Sequence, residues 1–407
     1  MDAVTKELLM SLAESRSAMV EQLHQFCVIN SGTENIQGLQ IMQQTLTTAF
    51  KPVADQLTSI PMPPVNTVNM DGEFSTQAIG DALIIRKRPE LKRRILLTGH
   101  MDTVYPATSL FQSLKYIDDN QINGPGVADM KGGLIVMLHA LNAFEQTDVA
   151  TSLGWDVIIN ADEEIGSPAS SLLFDEVAGN YQAALIYEPA MDIFGTLAKN
   201  RKGSGKLTIV AKGRAAHAGR DFYEGRNAIC YLAEAIVAIN QLNGQREGVT
   251  INVGKVAGGT ALNIVPDTAV VKLDIRISLP EDEHWMREQL QRIFNDFQRP
   301  DYSLAVHGSF GRPVKRICQK TAHLFHRIQS AGEKLGLIIN WKDSGGCCDG
   351  NNLAHNGVPV IDTLGVRGGS IHCSDEFILL DSLPERAALT TLLLIDLANN
   401  GLEELAK

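Results

Sequence analysis

His100 and Asp102 stand two residues apart at the end of a short apolar run, RRILLTG. In extended backbone that spacing puts both side chains on one face, where a carboxylate can fix one imidazole nitrogen as protonated and leave the other to bind a metal. A surface His-x-Asp pair is an equally good reading of the motif taken alone. Two more apolar runs end in acid: WDVIIN leads into Ala161-Asp162-Glu163-Glu164, and AALIY into Glu188-Pro189. Open α/β sheets bind ligands beyond the carboxyl ends of their strands, so three such endings on one sheet would gather an imidazole and several carboxylates. Gathering those charges is costly unless cations offset them. Asp129, in the glycine-rich stretch Gly124 to Gly133, precedes a helical run and fits either a further ligand or a helix N-cap. His372 lies in a glycine-led loop, Gly368 to Glu376, where a single histidine is ordinarily just solvated.

The elements that must position these residues follow from length and composition. Arg93 to Gly99, Trp155 to Asn160 and Ala183 to Tyr187 read as buried strands, and Lys131 to Phe144 as a helix. Strands alternating with helices predict a largely parallel α/β sheet. Upstream lie a helical stretch, Lys6 to Cys27, and a proline-rich connection at Pro61 to Pro64. Past Lys199 the order becomes strand, helix, two strands, helix, strand, the split-βαβ pattern of an α+β ferredoxin-like domain. After Gly308 the first pattern resumes, with helices at Ile317 to Leu335 and Leu383 to Asn399 and an extended segment at Val358 to Asp362. The expected domains are therefore a discontinuous one, 1–198 with 309–407, and an insertion at 199–308.

Composition narrows the function. A chain of 407 residues, 44% apolar and 20% charged, buries a core without metal or disulfide support. Its net charge of −11 has the wrong sign for nucleic acid or an anionic membrane surface. No apolar run is long enough to span a bilayer and the first residues lack an export signal, so a cytoplasmic protein is expected, periplasmic if a leader was removed. Six scattered cysteines without a CxxC pair are expected as buried free thiols rather than zinc ligands or a disulfide framework. There is no GxSxG elbow, HExxH helix, phosphate loop or dinucleotide fingerprint.

HMDTV at 100–104, GPGVADMKGG at 124–133, DEEIGS at 162–167, YEP at 187–189, GRAAHAG at 213–219, ALNIVPD at 261–267 and the GGSIHCSDE loop together resemble the di-zinc metallopeptidase superfamily. That superfamily holds aminoacylases, acetylornithine deacetylase, succinyl-diaminopimelate desuccinylase and the glutamate carboxypeptidases. The resemblance implies a zinc-exopeptidase-like catalytic domain with an inserted lid and dimerisation domain. It makes His100 and Glu188 ligands of one zinc, Glu164 and His372 ligands of the other, and Asp129 the bridge; cobalt or manganese would substitute. Asp102 becomes the partner of His100, and Glu163 the general base that moves a proton from the attacking water to the leaving nitrogen. His217 matches an oxyanion-stabilising histidine commonly given by a neighbouring subunit, hence a homodimer. Asn263 and Arg276 match substrate-binding positions, although Arg276 could equally pair with Asp274 on its own strand. Ser344 to Asp349, with Gly346, resembles a loop that holds the substrate's free carboxylate.

Glutamate at 188, where many deacylases of the superfamily have aspartate, resembles the glutamate carboxypeptidase branch. The leading expectation is thus hydrolysis of an amide that releases a C-terminal amino acid, glutamate foremost, from a small substrate with a free carboxylate, such as a dipeptide or folate-like conjugate. An N-acyl-amino-acid deacylase is the alternative. A non-catalytic peptide-binding paralogue is the third reading, which the full set of ligands and base argues against.

Overall fold

The computed structural model describes residues 3–406, which fall into two units. The first takes residues up to Pro63, Ala78–Asn200 and Lys315 onward; the second takes Pro64–Gln77 and Arg201–Val314. The second unit thus runs past the expected 199–308 and gains a segment from the first hundred residues. That segment is a hairpin, Val65–Val68 paired with Phe74–Gln77. Its Val68 packs with Val210 and Val270, and the Phe74 ring meets His307 edge-on. The C-terminal boundary moves because the last strand of the unit, Ser303–Arg312, extends beyond Gly308.

The first unit is built on a six-stranded sheet. In spatial order its strands are Gln56–Ile60, Ala82–Lys87, Gly154–Asn160, Arg94–His100, Ala184–Ile186 and Val360–Ile361. The pairings among the last four are parallel, and the two made by Ala82–Lys87 are antiparallel. The sheet is therefore mixed. The strands that carry the acidic endings are adjacent and point the same way, with His100 opposite Asn160 and Thr98 opposite Ile186. All three chain segments emerge at one edge.

The helix Gly132–Phe144 packs behind that edge and against the helix Ser382–Asn400, where the Thr391 hydroxyl donates to Ala140 O. Leu134, Ile135, Val136, Met137, Leu138, Leu141 and Phe144 are all buried, on the order of 10–20 kcal/mol of apolar transfer before entropy is counted. Gly133 lets the helix approach: a Cβ there would lie 2.1 Å from Tyr187 O, at the end of the Ala184–Ile186 strand. The segment leading to Asp129 is thereby fixed at the sheet edge.

The second unit has a four-stranded antiparallel sheet. Across it run Thr250–Gly258, Thr268–Ile277, Gly203–Lys212 and Ser303–Arg312, which is the second, third, first and fourth strand of this sheet in chain order. With the helices Ala228–Asn240 and Pro280–Asp296 this is the ferredoxin-like arrangement read from the sequence. Tyr231, Leu232, Ile239, Met286 and Leu290 bury against one sheet face.

The cysteines depart from expectation. Cys27 and Cys348 are buried, while Cys230, Cys318 and Cys373 are exposed and Cys347 lies between. Burial pushes the Cys27 thiol up to about 12. All six are free. Among the described residues no helix is long and apolar enough to cross a membrane.

Candidate metal centre

His100 is the last residue of its strand and almost wholly buried. Its Nδ1 lies 2.9 Å from Asp102 O and 3.3 Å from Asp102 Oδ1. Both are acceptors, so a proton sits on Nδ1 and Nε2 is the nitrogen turned inward. The backbone carbonyl of Asp102 makes the shorter contact. Its carboxylate accepts the Thr33 hydroxyl at 2.8 Å and the backbone N–H groups of Glu163 and Glu164 at 3.3 and 3.2 Å. Asp102 therefore joins the first strand ending to the second.

Asp129 is not a helix cap. It sits in the irregular turn Val127–Lys131, with φ −113° and ψ 94°, and the helix begins only at Gly132. Its Oδ1 lies 3.1 Å from His100 Nε2 and its Oδ2 3.1 Å from His372 Nε2. His372 Nε2 is also 3.2 Å from Glu164 Oε2, and His100 Nε2 is 3.8 Å from Glu188 Oε1. The five residues read as ligands thus meet in one cluster, with the two Asp129 oxygens turned towards different histidines. His372 holds its place in left-handed backbone, φ 64°, a conformation costly for a residue with a Cβ. The flanking pairing of Gly368–Gly369 with Phe377–Leu379 supports it.

Donor atoms of His100, Asp129 and Glu164 lie within 4.8 Å of one another, and so do those of His100, Glu163 and Glu188. The charges there are ill at ease. Burial, then the neighbouring Asp129 carboxylate, pushes Glu164 up to about 8 against the pull of His372. Hydrogen bonds to Asp129 and Glu164 raise His372 to about 10. For Asp129 burial works upward, but its bonds to His100 and His372 prevail and hold it well below the usual carboxylate range. His100 is likewise opposed by burial, yet Asp102, Asp129 and Glu188 keep it well above an ordinary histidine. Glu164 Oε1 is buried with no hydrogen-bond donor to meet it. An unmet carboxyl oxygen among imidazoles and carboxylates fits a cation.

In the second unit His217 and Asn263 are exposed neighbours: Ala216–His217 pairs with Ile264–Val265, and Ala218 N–H donates to Asn263 O. His217 Nδ1 accepts the Gly219 and Arg220 N–H groups at 3.1 Å each, which puts its proton on Nε2. Arg276 stands elsewhere. From Thr268, beside the His217 end, its strand runs eight residues, roughly 26 Å, to Arg276. There its Nε and Nη2 donate to Asp274 at 2.6 and 3.0 Å, the plain pairing foreseen from the sequence. In the first unit Gly346 is exposed and its N–H donates to Ser344 Oγ.

The sequence profile of the peptidase family M20/M25/M40 matches residues 96–396, a span that includes every residue read from the sequence as a ligand, base or substrate contact. The chain belongs to that family. This M20 chain is a metal-dependent hydrolase by its family, and 25% identical over 398 residues to carboxypeptidase G2 of Pseudomonas sp. strain RS-16, covering 96% of this chain and 92% of that one. Its fold is also that of human carnosine dipeptidase 1, at TM-score 0.74 and 13% identity, with 97% and 99% of the two chains covered. A Bacillus subtilis protein described as a dinuclear metal-binding peptidase of the M20 family superposes with TM-score 0.62 at 13% identity over 93% and 97%.

Several residues shape the M20 site in ways that escaped the sequence reading. Thr33, which bonds Asp102, is one. Asp162 caps the helix Ser170–Val177 by accepting the Ala169 and Ser170 N–H groups. Asp349, in the segment read only as a substrate loop, accepts Ser167 Oγ at 2.6 Å and Asn160 Nδ2 at 2.9 Å and so braces the turn that carries Glu163 and Glu164. Glu376 is the fourth. An acidic residue shortly after His372 was the one hint available.

Proposed function

We propose that the chain is a di-zinc carboxypeptidase-like amidohydrolase that releases a C-terminal amino acid, glutamate foremost, from a small substrate bearing a free carboxylate. The observation that carries this reading is the meeting of His100, Asp129, Glu164, Glu188 and His372 in one cluster, where the buried Glu164 Oε1 meets no hydrogen-bond donor. His100 with Glu188 would hold one ion, Glu164 with His372 the other, and Asp129 would bridge. Three carboxylates set against two dications leave little net charge to bury. Cobalt or manganese suits the same nitrogen and oxygen donors. Bound zinc lowers the pKa of water to roughly 7 and polarises a carbonyl.

The chain's own groups do the rest. Glu163 takes the proton of the attacking water and delivers it to the leaving nitrogen, a task suited to a carboxylate beside the ligands. Asp102 keeps His100 in the tautomer that presents Nε2. His217, with its proton on Nε2, donates to the oxyanion of the tetrahedral intermediate. Asn263, Arg276 and the Gly346 loop grip the substrate; a guanidinium offers the bidentate fit a carboxylate needs. Because two residues span only about 7 Å, His217 and Arg276 of a single copy do not reach one small substrate. A homodimer answers this, one copy lending His217 and Asn263 to the other. Exposed Ile229 and Val237 on the helix Ala228–Asn240, and Val256 on the edge strand Thr250–Gly258, support such a contact.

Resemblance over nearly the full length to carboxypeptidase G2 and the glutamate at 188 favour the carboxypeptidase branch. A panel of zinc-reconstituted protein with a folate-like glutamate conjugate, a dipeptide and an N-acetyl amino acid tests it. The glutamate conjugate is expected to have the highest kcat/KM. Preference for the N-acetyl substrate would instead favour a deacylase.

A further inference from the structure

We propose that Glu376 is a positioning residue for the bridging ligand: its carboxylate sets the turn that aims the two oxygens of Asp129, and so governs uptake of both ions. This rests on the metal-centre reading above. Glu376 is fully buried. Its Oε1 accepts the N–H groups of Ala128 and Asp129 at 2.9 and 3.0 Å; its Oε2 accepts the N–H of Gly126 at 3.2 Å and the Tyr105 hydroxyl at 2.7 Å. Its backbone oxygen accepts the Gly124 N–H as well. The turn it holds has Gly126 at φ +71°, and Asp129 and Met130 depart from helical geometry, so these N–H groups are not taken up by a regular helix. Successive N–H groups converging on one anion form a concave cradle whose shape depends on the anion filling it.

The same carboxylate joins the ligand-bearing segments. Tyr105 lies just beyond His100 and Asp102, and its hydroxyl is also 2.9 Å from Cys373 O, next to His372. Segments 100–105, 124–129 and 372–376 therefore meet at Glu376. Supporting partners of this kind typically govern 10–100-fold in metal affinity. Because Asp129 faces both histidines, an error in its aim weakens both ions, whereas loss of His372 removes a donor from one side only.

The test is calorimetric titration of chelated full-length protein with zinc, alongside its thermal midpoint. Wild type is expected to take two equivalents, and Glu376→Gln to bind both roughly 10–100-fold more weakly. Glu376→Asp, which keeps the charge but is one methylene too short for both pairs of donors, is expected to fall between. It serves also if the glutamine variant does not fold. His372→Ala is expected to weaken one equivalent. A purely structural role would lower the midpoint and leave both affinities unchanged. That result, or weakening of a single equivalent in both Glu376 variants, would overturn the proposal while the metal centre stood. A wild type that takes up no zinc would overturn the metal-centre reading and this one together.

Discussion

His100, Asp102 and Asp129 are buried and tied by side-chain bonds to segments far away in the chain, whereas His217 and Asn263 are exposed, on two short segments held to each other by backbone pairing. The first region meets the cost of assembling charge when the chain folds. Its donors are already aimed, which is what electrostatic catalysis and tight metal binding both require. The second region lies in water, where a hydrogen bond to a developing charge is weak. It becomes effective only when another surface excludes solvent, as a closing lid or second subunit does. On the proposed reading, one region is preassembled for metal and the other awaits substrate.

Variants should separate the two. The largest loss is expected from Glu163→Gln: roughly a thousandfold or more in kcat, with zinc content measured by elemental analysis unchanged. Retained turnover would remove Glu163 as the base. His217→Ala is expected to cost on the order of a hundredfold in kcat and leave zinc affinity untouched; a loss of zinc would show that the regions are not independent. His217→Ala mixed with Glu163→Gln should recover part of the activity if the histidine crosses between copies.

Acid provides the next contrast. In chelated protein at neutral pH, Glu164 at about 8, His372 at about 10 and the raised His100 all hold protons that a metal must displace. Zinc affinity should therefore climb as pH rises from 6 to 8, by at least about tenfold per unit, with protons released into the buffer. Affinity that is flat with pH would contradict the arrangement of donors. Arg276→Gln should give the smallest effect, about a tenfold rise in KM for a carboxylate substrate with kcat little changed. An unchanged KM would leave Arg276 as the partner of Asp274 alone.

The strand endings were legible because RRILLTG, WDVIIN and AALIY are short apolar runs with chemistry at one end. Parallel neighbours then placed those ends together. The Ala82–Lys87 strand was missed beside a proline-rich stretch, and with it both antiparallel pairings of the sheet. No local pattern shows that the Val65–Val68 hairpin joins the second unit, since that depends on Val68 meeting Val210 and Val270. Asp129 read equally as ligand or N-cap until the turn around it was seen. Glu376 was the least legible, because its donor Gly126 precedes it by 250 positions. Exposed Cys230 and Cys318 show the converse limit: cysteine composition alone does not say which face of a helix or turn a thiol will occupy.

Asp129 is the one ligand shared between both proposed ions, so metal content after exhaustive dialysis of zinc-loaded wild type and Asp129→Ala bears hardest on the assembly. About two zinc ions per wild-type chain and close to none in the variant is the outcome expected of a bridged pair. Equal zinc in the two proteins would mean that these five side chains do not share a metal centre.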